Sequence, residues 1–308
     1  MGGGLLLVDK PAGLTSFDVV RRVRSLCRTR KVGHTGTLDP FATGVLPICV
    51  GSATRLAGLL TDGDKTYEAT VALGVSTDTL DLDGRVVATR PVDPALTEAQ
   101  FKRILAQFTG SIQQTPPMYS AVKIKGKRLY QYAREGRAVE RPSREVTVHE
   151  LTLLAWTPPR ATIRVRCSKG TYVRVLAADI GEALGCGAHL VSLRRTRVGP
   201  FGIEGARTLE ALERMADSGD LDGAMIPLVE VVPHLPRIQV SGAQVRRVKH
   251  GNPVSLQLDA QSDTPAPGDS VRLCHGARLL AVGVVSGLRA TGSGRAWTVQ
   301  PRIVFPDS

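Results

Sequence analysis

The chain has 308 residues, 42% of them hydrophobic, which is enough for a buried core and suggests two domains. Lys and Arg total 40 against 28 Asp and Glu, and the resulting +12 favours a polyanionic partner, nucleic acid first. Five cysteines without a CxxC pair, six scattered histidines and the absence of a long apolar run argue against a disulfide framework, a zinc site and a membrane span.

The first residues, MGGGLLLVD, lack a basic region, so no secretory leader is expected and a reduced, cytoplasmic setting fits. Leu5 to Val8 reads as a short apolar strand. Ser16 is placed to cap a helix from about Phe17 to Cys27, with Val19, Val20, Val23 and Leu26 on one face. The stretch from Gly33 to Pro40, GHTGTLDP, then sets two glycines before Asp39 and a proline after it. Glycine opens backbone angles closed to other residues, and a residue before proline is pushed toward extended shapes. Such a loop holds a carboxylate at a fixed angle, although Asp-Pro is also a common turn in which the carboxylate bonds its own backbone. Val45 to Val50 reads as a buried segment beneath this loop.

Ala53 to Leu60 is expected as a short helix, and Lys65 to Leu73 alternates as a strand. Thr77 to Gly84 (TDTLDLDG) is an acidic loop, either a solvated turn or the rim of a nucleic-acid site. A calcium loop would need a glutamate at its end. Thr97 to Gln100 has capping-box form and opens a helix through Phe101, Ile104, Leu105 and Phe108 to a stop near Gly110. Met118 to Arg128 reads as a hairpin turning at Lys125-Gly126-Lys127, with a helical turn running on to Gly136. Val146 to Trp156 and Ala161 to Cys167 are strands, Tyr172 to Leu184 a helix closed by Gly185, and His189 to Val198 a further strand. Thr208 to Asp217 is a helix and Pro227 to Pro236 a proline-marked link. Short strands at Ser270 to Cys274, Arg278 to Ser286 and Trp297 to Phe305 suggest a small appended β-barrel or sandwich, and Asp259 to Asp269 is a polar loop. Strands and helices alternate without a steady βαβ rhythm, so the fold class is α+β.

Basic residues cluster in three places: Arg21, Arg22, Arg24, Arg28, Arg30 and Lys31; Lys123 to Arg144; and Arg194, Arg195 and Arg197. The second set is interleaved with Tyr119, Tyr130 and Tyr132, which suits phosphate contact combined with base stacking. Any one such run is also what an ordinary solvated face looks like. Dinucleotide, phosphate-loop and GxSxG motifs are absent.

Six blocks in chain order carry a resemblance: Asp9 to Ser16 (DKPAGLTS), Gly33 to Pro47, Lys65-Thr66-Tyr67, Met118 to Lys123 (MYSAVK), Ser168 to Arg174 (SKGTYVR), and Gly185 to Leu190 followed by Leu193-Arg194-Arg195. Together they resemble the bacterial TruB family, the tRNA pseudouridine-55 synthases. The resemblance covers roughly the first two-thirds of the chain. It implies a pseudouridine synthase domain over 1–230, with a mixed, largely antiparallel sheet and flanking helices. A small PUA-like RNA-binding barrel over 231–308 follows by position and size.

By the same matching, Asp39 is the catalytic aspartate, Arg174 the arginine that pairs with it and keeps it ionised, and Tyr67 the active-site tyrosine, implied to stack on the base or to assist removal of its C5 proton. Leu193 would pack on the flipped base, and His34 would fill or support the vacated stack. Lys10, Asp81 and Tyr172 would contact substrate. The reaction is an isomerisation without net redox change or hydrolysis, so no cofactor and no metal is implied. The implied partner is tRNA, through its T-arm and acceptor end, with the protein a monomer. A non-catalytic RNA-binding or RNA-folding protein on the same scaffold is the alternative, and it would not need Asp39, Tyr67 and Arg174 together.

Overall fold

Thr15, rather than Ser16, starts the first helix. In this computed structural model, which describes residues 3–124, 126–257, 265–291 and 294–305, the Thr15 side chain accepts from the Asp18 amide and Asp18 reaches back to Thr15, a reciprocal capping box. Ser16 is freed for a partner 22 residues on: its hydroxyl accepts from the Leu38 amide at 2.8 Å and donates to the Leu38 carbonyl at 3.1 Å. Helix α1 (Ser16–Leu26) thereby fastens the residue before Asp39.

The chain runs β1 (Gly3–Lys10), α1, β2 (Val32–His34), β3 (Thr43–Gly51), α2 (Ala57–Thr61), β4 (Lys65–Leu73), β5 (Val75–Thr77), β6 (Val86–Thr89), α3 (Glu98–Gln107) and β7 (Gly110–Gln114). It continues with β8 (Lys123–Ile124), β9 (Lys127–Arg128), α4 (Leu129–Arg134), β10 (Arg144–Thr157), β11 (Arg160–Cys167), α5 (Val173–Ala183) and β12 (Ala188–Val198). After β13 (Phe201–Gly202), α6 (Leu209–Asp217) and β14 (Ile226–Pro227) come β15 (Arg237–Gln239), α7 (Gly242–Lys249), β16 (Val254–Gln257), β17 (Ser270–His275), β18 (Arg278–Thr291) and β19 (Gly294–Val304).

The large sheet has the order β14-β1-β3-β12-β4-β11-β10-β7, with β2 on β3 and β13 on β12. Its pairings are antiparallel except between β3 and β12. The second sheet, β15-β17-β18-β19-β16, curls around Val248, Leu273, Trp297 and Val299. The α+β expectation holds.

Strand burial follows position. The β4 strand alternates strictly, with Lys65, Tyr67, Ala69, Val71 and Leu73 turned inward. β1 and β3 read as continuous apolar runs because both of their faces are covered. Leu6, Val8, Leu46 and Ile48 join the core beneath α1 and α5, whereas Leu5, Leu7, Val45 and Cys49 pack with Val229, Val231, Leu279, Val282 and Phe305. Buried Arg272 ties the two sheets' linker in place, donating to the carbonyls of Val229 (2.7 Å), Leu235 (2.8 Å) and Pro233 (3.3 Å).

Several local readings change. Ala53 to Leu60 is a 3-10 turn over Ser52–Leu56 running into α2. The first residue of the proline-marked link, Pro227, pairs with β1 together with Ile226 before it. β6, β7, α7 and the three-residue β2 and β15 were not anticipated. The hairpin at 123–128 is present through Ile124 opposite Lys127, with Lys125 outside the described residues. Residues 258–264 of the expected polar loop also lie outside them.

Gly44 allows the parallel pairing of β3 with β12. Its φ is +105°, and a β-carbon there would lie 2.2 Å from the Arg195 carbonyl oxygen. Gly13 is also left-handed (φ +84°) but faces open space. Gly44→Ala is therefore expected to cost about 2–5 kcal/mol, since strain and a backbone clash add, whereas Gly13→Ala costs about 1 kcal/mol. Urea midpoints for the two variants check this, and equal losses would contradict it.

Candidate active site

Asp39 sits at the tip of the β2–β3 connection, and three independent ties shape that tip. Ser16 holds Leu38, the Gly13 amide donates to the Pro40 carbonyl at 2.8 Å, and the Ala42 amide donates to the Asp39 carbonyl at 3.1 Å. Lys10, expected at the substrate, is instead fully buried behind the loop. Its ammonium donates to the carbonyls of Pro11 (2.8 Å), Leu14 (2.7 Å) and Pro40 (3.1 Å), and burial pushes it down to about 8. These bonds leave it no face for RNA; Lys10 supports the loop.

Arg174 enters from the first turn of α5 and is 3% exposed. Its Nη2 donates to Asp39 Oδ1 at 3.2 Å, and its Nε lies 2.9 Å from Oδ2 without an aligned hydrogen bond. Nη1 donates to Asp81 Oδ2 at 3.1 Å and to the Thr79 carbonyl at 2.8 Å, while Nη2 also reaches the Tyr119 carbonyl at 2.9 Å. One guanidinium thus stands between two carboxylates. Asp81 is 5% exposed and engaged with Arg174, so it is neither a solvated turn residue nor a rim contact.

The start of α5 has no side-chain cap of its own. Gln114, at the end of β7 and 1% exposed, fixes it from across the fold: Oε1 accepts from the Tyr172 amide at 2.7 Å and Nε2 donates to the Tyr172 carbonyl at 3.0 Å. Sequence reading missed Gln114, because a lone polar residue ending a short strand carries no signal.

A cavity of about 270 Å³ opens over Asp39. Tyr67, Leu193, Tyr172 and Arg174 line it, with Ser120, Arg144 and Arg195 completing the wall. Tyr67 and Leu193 come from adjacent strands, with Leu193 opposite Ala69 and Arg195 opposite Tyr67. The Tyr172 ring lies under the Arg144 guanidinium, 5.0 Å from carbon to ring centre. Of the residues singled out from sequence, Asp39, Tyr67, Arg174, Tyr172 and Leu193 converge here. His34 sits on β2 outside the wall. Its Nδ1 accepts from the Gly36 amide at 3.3 Å, and burial with the Arg195 charge holds it below its usual value.

In the third basic cluster each cation has a partner within the protein. Arg195 is 1% exposed and donates to the carbonyls of Val45 (2.8 Å) and Gly36 (3.1 Å). Arg194 forks onto Asp9 at 2.8 and 3.1 Å, and Arg197 meets Glu204 at 3.3 Å. Tyr132 is buried too, which removes it from base stacking. Exposed cations remain at Arg28, Arg30 and Lys31, and at Lys123, Arg128, Arg134 and Arg137. In the last group Arg128 and Arg134 lie over half-buried Tyr130, and Arg137 over the Tyr132 ring. All five cysteines are free and buried; among the described residues no acid, His and Cys grouping has metal-site form, and no helix is long and apolar enough to cross a membrane.

A family model described as TruB family pseudouridylate synthase, N-terminal domain, matches residues 24–173, and one described as tRNA pseudouridylate synthase B C-terminal domain matches 174–232. The chain belongs to the TruB family of pseudouridylate synthases. Relatives in this family include the tRNA pseudouridine synthase B of Azoarcus sp. (strain BH72), 48% identical over 91% of this chain and 90% of the relative. That of Geobacillus thermodenitrificans (strain NG80-2) is 50% identical over 80% of this chain and 84% of the relative. A solved H/ACA RNP bound to a substrate RNA containing 2′-deoxyuridine shares the fold with a TM-score of 0.74 and 26% identity, over 99% of this chain and 85% of that one.

Burial pushes Asp39 above the ordinary carboxylate value; Arg174 opposes this and Asp81 adds to it. The expectation that Arg174 keeps Asp39 ionised thus meets an opposing desolvation that is larger. A carboxyl raised in the folded state contributes stability below its unfolded value of 3.8, and that contribution is lost as pH rises through the folded value. Asp39→Asn should therefore melt at a higher temperature than wild type at pH ~8. The difference should shrink toward zero near pH ~4. Thermal melts at both pH values test this, and a variant less stable at the higher pH would contradict it.

Proposed function

We propose that this chain converts uridine to pseudouridine at position 55 in the T-loop of tRNA, with Asp39 as the reacting carboxylate. The reading rests chiefly on Asp39 standing at the floor of a cavity, gripped by Arg174, with Tyr67 and Leu193 on the wall. The target nucleotide swings out of its RNA stack into this cavity. The bond from uracil N1 to ribose C1′ breaks, the base turns, and C5 bonds to C1′. The C5 proton leaves and N1 gains one. Asp39 acts as its carboxylate, either adding covalently or stabilising the electron-poor sugar. Burial raises the Tyr67 phenol, so it stays protonated at neutral pH and suits stacking on the base better than proton abstraction as a phenolate. Leu193 supplies the opposite apolar contact.

In this proposal residues 1–230 form the catalytic unit and 231–308 grip the acceptor end, in a cytoplasmic monomer. The exposed cations flanking Tyr130 and those at Arg28 to Lys31 track phosphates, and His34 supports the stack left by the extruded base. No cofactor takes part.

Asp39→Asn should lower tritium release from C5-labelled tRNA by more than about 10³-fold while tRNA affinity changes little; wild-type turnover by the variant would remove the assignment. A binding-only protein would instead lose nothing on this substitution. Carbodiimide mapping by primer extension should place the single new stop at uridine 55. Affinity for tRNA should fall at least ~10-fold between about 50 and about 200 mM salt. A flat response would exclude the exposed cations as the phosphate-contacting surface.

A further inference from the structure

Five buried side-chain atoms lack a hydrogen-bond partner among the described residues: Arg24 Nε, Thr35 Oγ1, Ser120 Oγ, Arg144 Nε and Arg174 Nε. The three arginines use other nitrogens of the same guanidinium, on Val32, Gly170 and the Asp39–Asp81 pair. Only the two hydroxyls are wholly unpartnered, and of these Ser120 alone lines the cavity over Asp39. A buried hydroxyl without a partner carries a desolvation cost that native proteins rarely leave uncompensated.

Ser120 is also firmly placed. Its backbone carbonyl accepts from the Tyr130 amide at 3.1 Å, and its neighbour Tyr119 accepts from Arg174 Nη2 at 2.9 Å. It therefore joins the Arg174 clamp on one side to the basic β8–β9–α4 segment on the other. Its residue is 6% exposed and its oxygen is covered, so in the free protein the hydroxyl is shielded from bulk water.

We infer that Ser120 is a substrate-contacting residue whose hydroxyl is completed by a polar atom of the extruded uridine nucleotide. This rests on the proposed function. A serine hydroxyl both donates and accepts, so it matches a uracil carbonyl, the uracil N3–H or the ribose 2′-hydroxyl equally well. In the free protein the hydroxyl is a cost, and in the complex it is a bond.

Ser120→Ala separates the two states. In the free protein it removes an unpartnered polar atom, so the melting temperature should be unchanged or higher. With substrate, the single-turnover rate of tritium release at subsaturating enzyme should fall roughly 3- to 10-fold, the worth of one neutral hydrogen bond. A second substrate carrying 2′-deoxyuridine at the target identifies the partner. If the Ala penalty vanishes there, the partner is the ribose; if it persists, the partner is the base. A rate equal to wild type overturns the inference, and so does a lowered melting temperature, which would reveal a protein partner for the hydroxyl. Wild-type enzyme is measured alongside: an inactive wild type overturns the proposed function and this inference together, whereas an active wild type with an equally active Ser120→Ala overturns this one alone.

Discussion

Everything in the site is arranged around one guanidinium held almost out of water between two carboxylates. Arg174 is 3% exposed, and Asp39 and Asp81 approach it from opposite sides. Three charges in such a place are costly to desolvate unless each is bonded. The fold meets this with carbonyls from Thr79 and Tyr119, which belong to two different loops. The acidic turn of β5–β6, the MYSAVK segment and the Asp39 tip are thus registered to one another through a single side chain. A lysine in its place would offer a point charge without the planar fork that serves four acceptors at once.

That arrangement explains why Asp39 is poised rather than simply ionised. Burial raises it, Asp81 raises it further, and Arg174 pulls it down. The one hydroxyl without a partner at the cavity, that of Ser120, sits next to the same clamp, since its neighbour Tyr119 accepts from Arg174.

Much of this could be read in the sequence, and the failures have physical causes. The alternation from Lys65 to Leu73 and the capping box at Thr97 were legible because each depends on residues close in the chain. Asp39, Tyr67, Arg174, Tyr172 and Leu193 were legible only through motif resemblance; spacing alone left each as an ordinary turn, strand or helix residue. The cations misled. Lys10 and Arg195 add to the net charge and look solvated, yet both are interior and satisfied by backbone carbonyls, some of them, at Pro40 and Gly36, far off in the chain. Nothing in local pattern announces such carbonyls. Ser16 and Thr15 are equally good caps by type, and the choice between them is made by Leu38, a contact that exists only after the chain has closed on itself. The three-residue strands β2, β5 and β15 escaped notice because they are too short to show a period.

The two-sided burial of β1 and β3 carries a consequence for how the molecule could have grown or could be trimmed. Leu5, Leu7, Val45 and Cys49 form a greasy strip on the rear of the sheet whose front supports Asp39, and the closing segments of the chain shingle over it. The tail is therefore roofing as much as appendage. Cutting it away would leave the large sheet wet on its rear face, so descendants that shed it would first have to repaint that strip with polar residues.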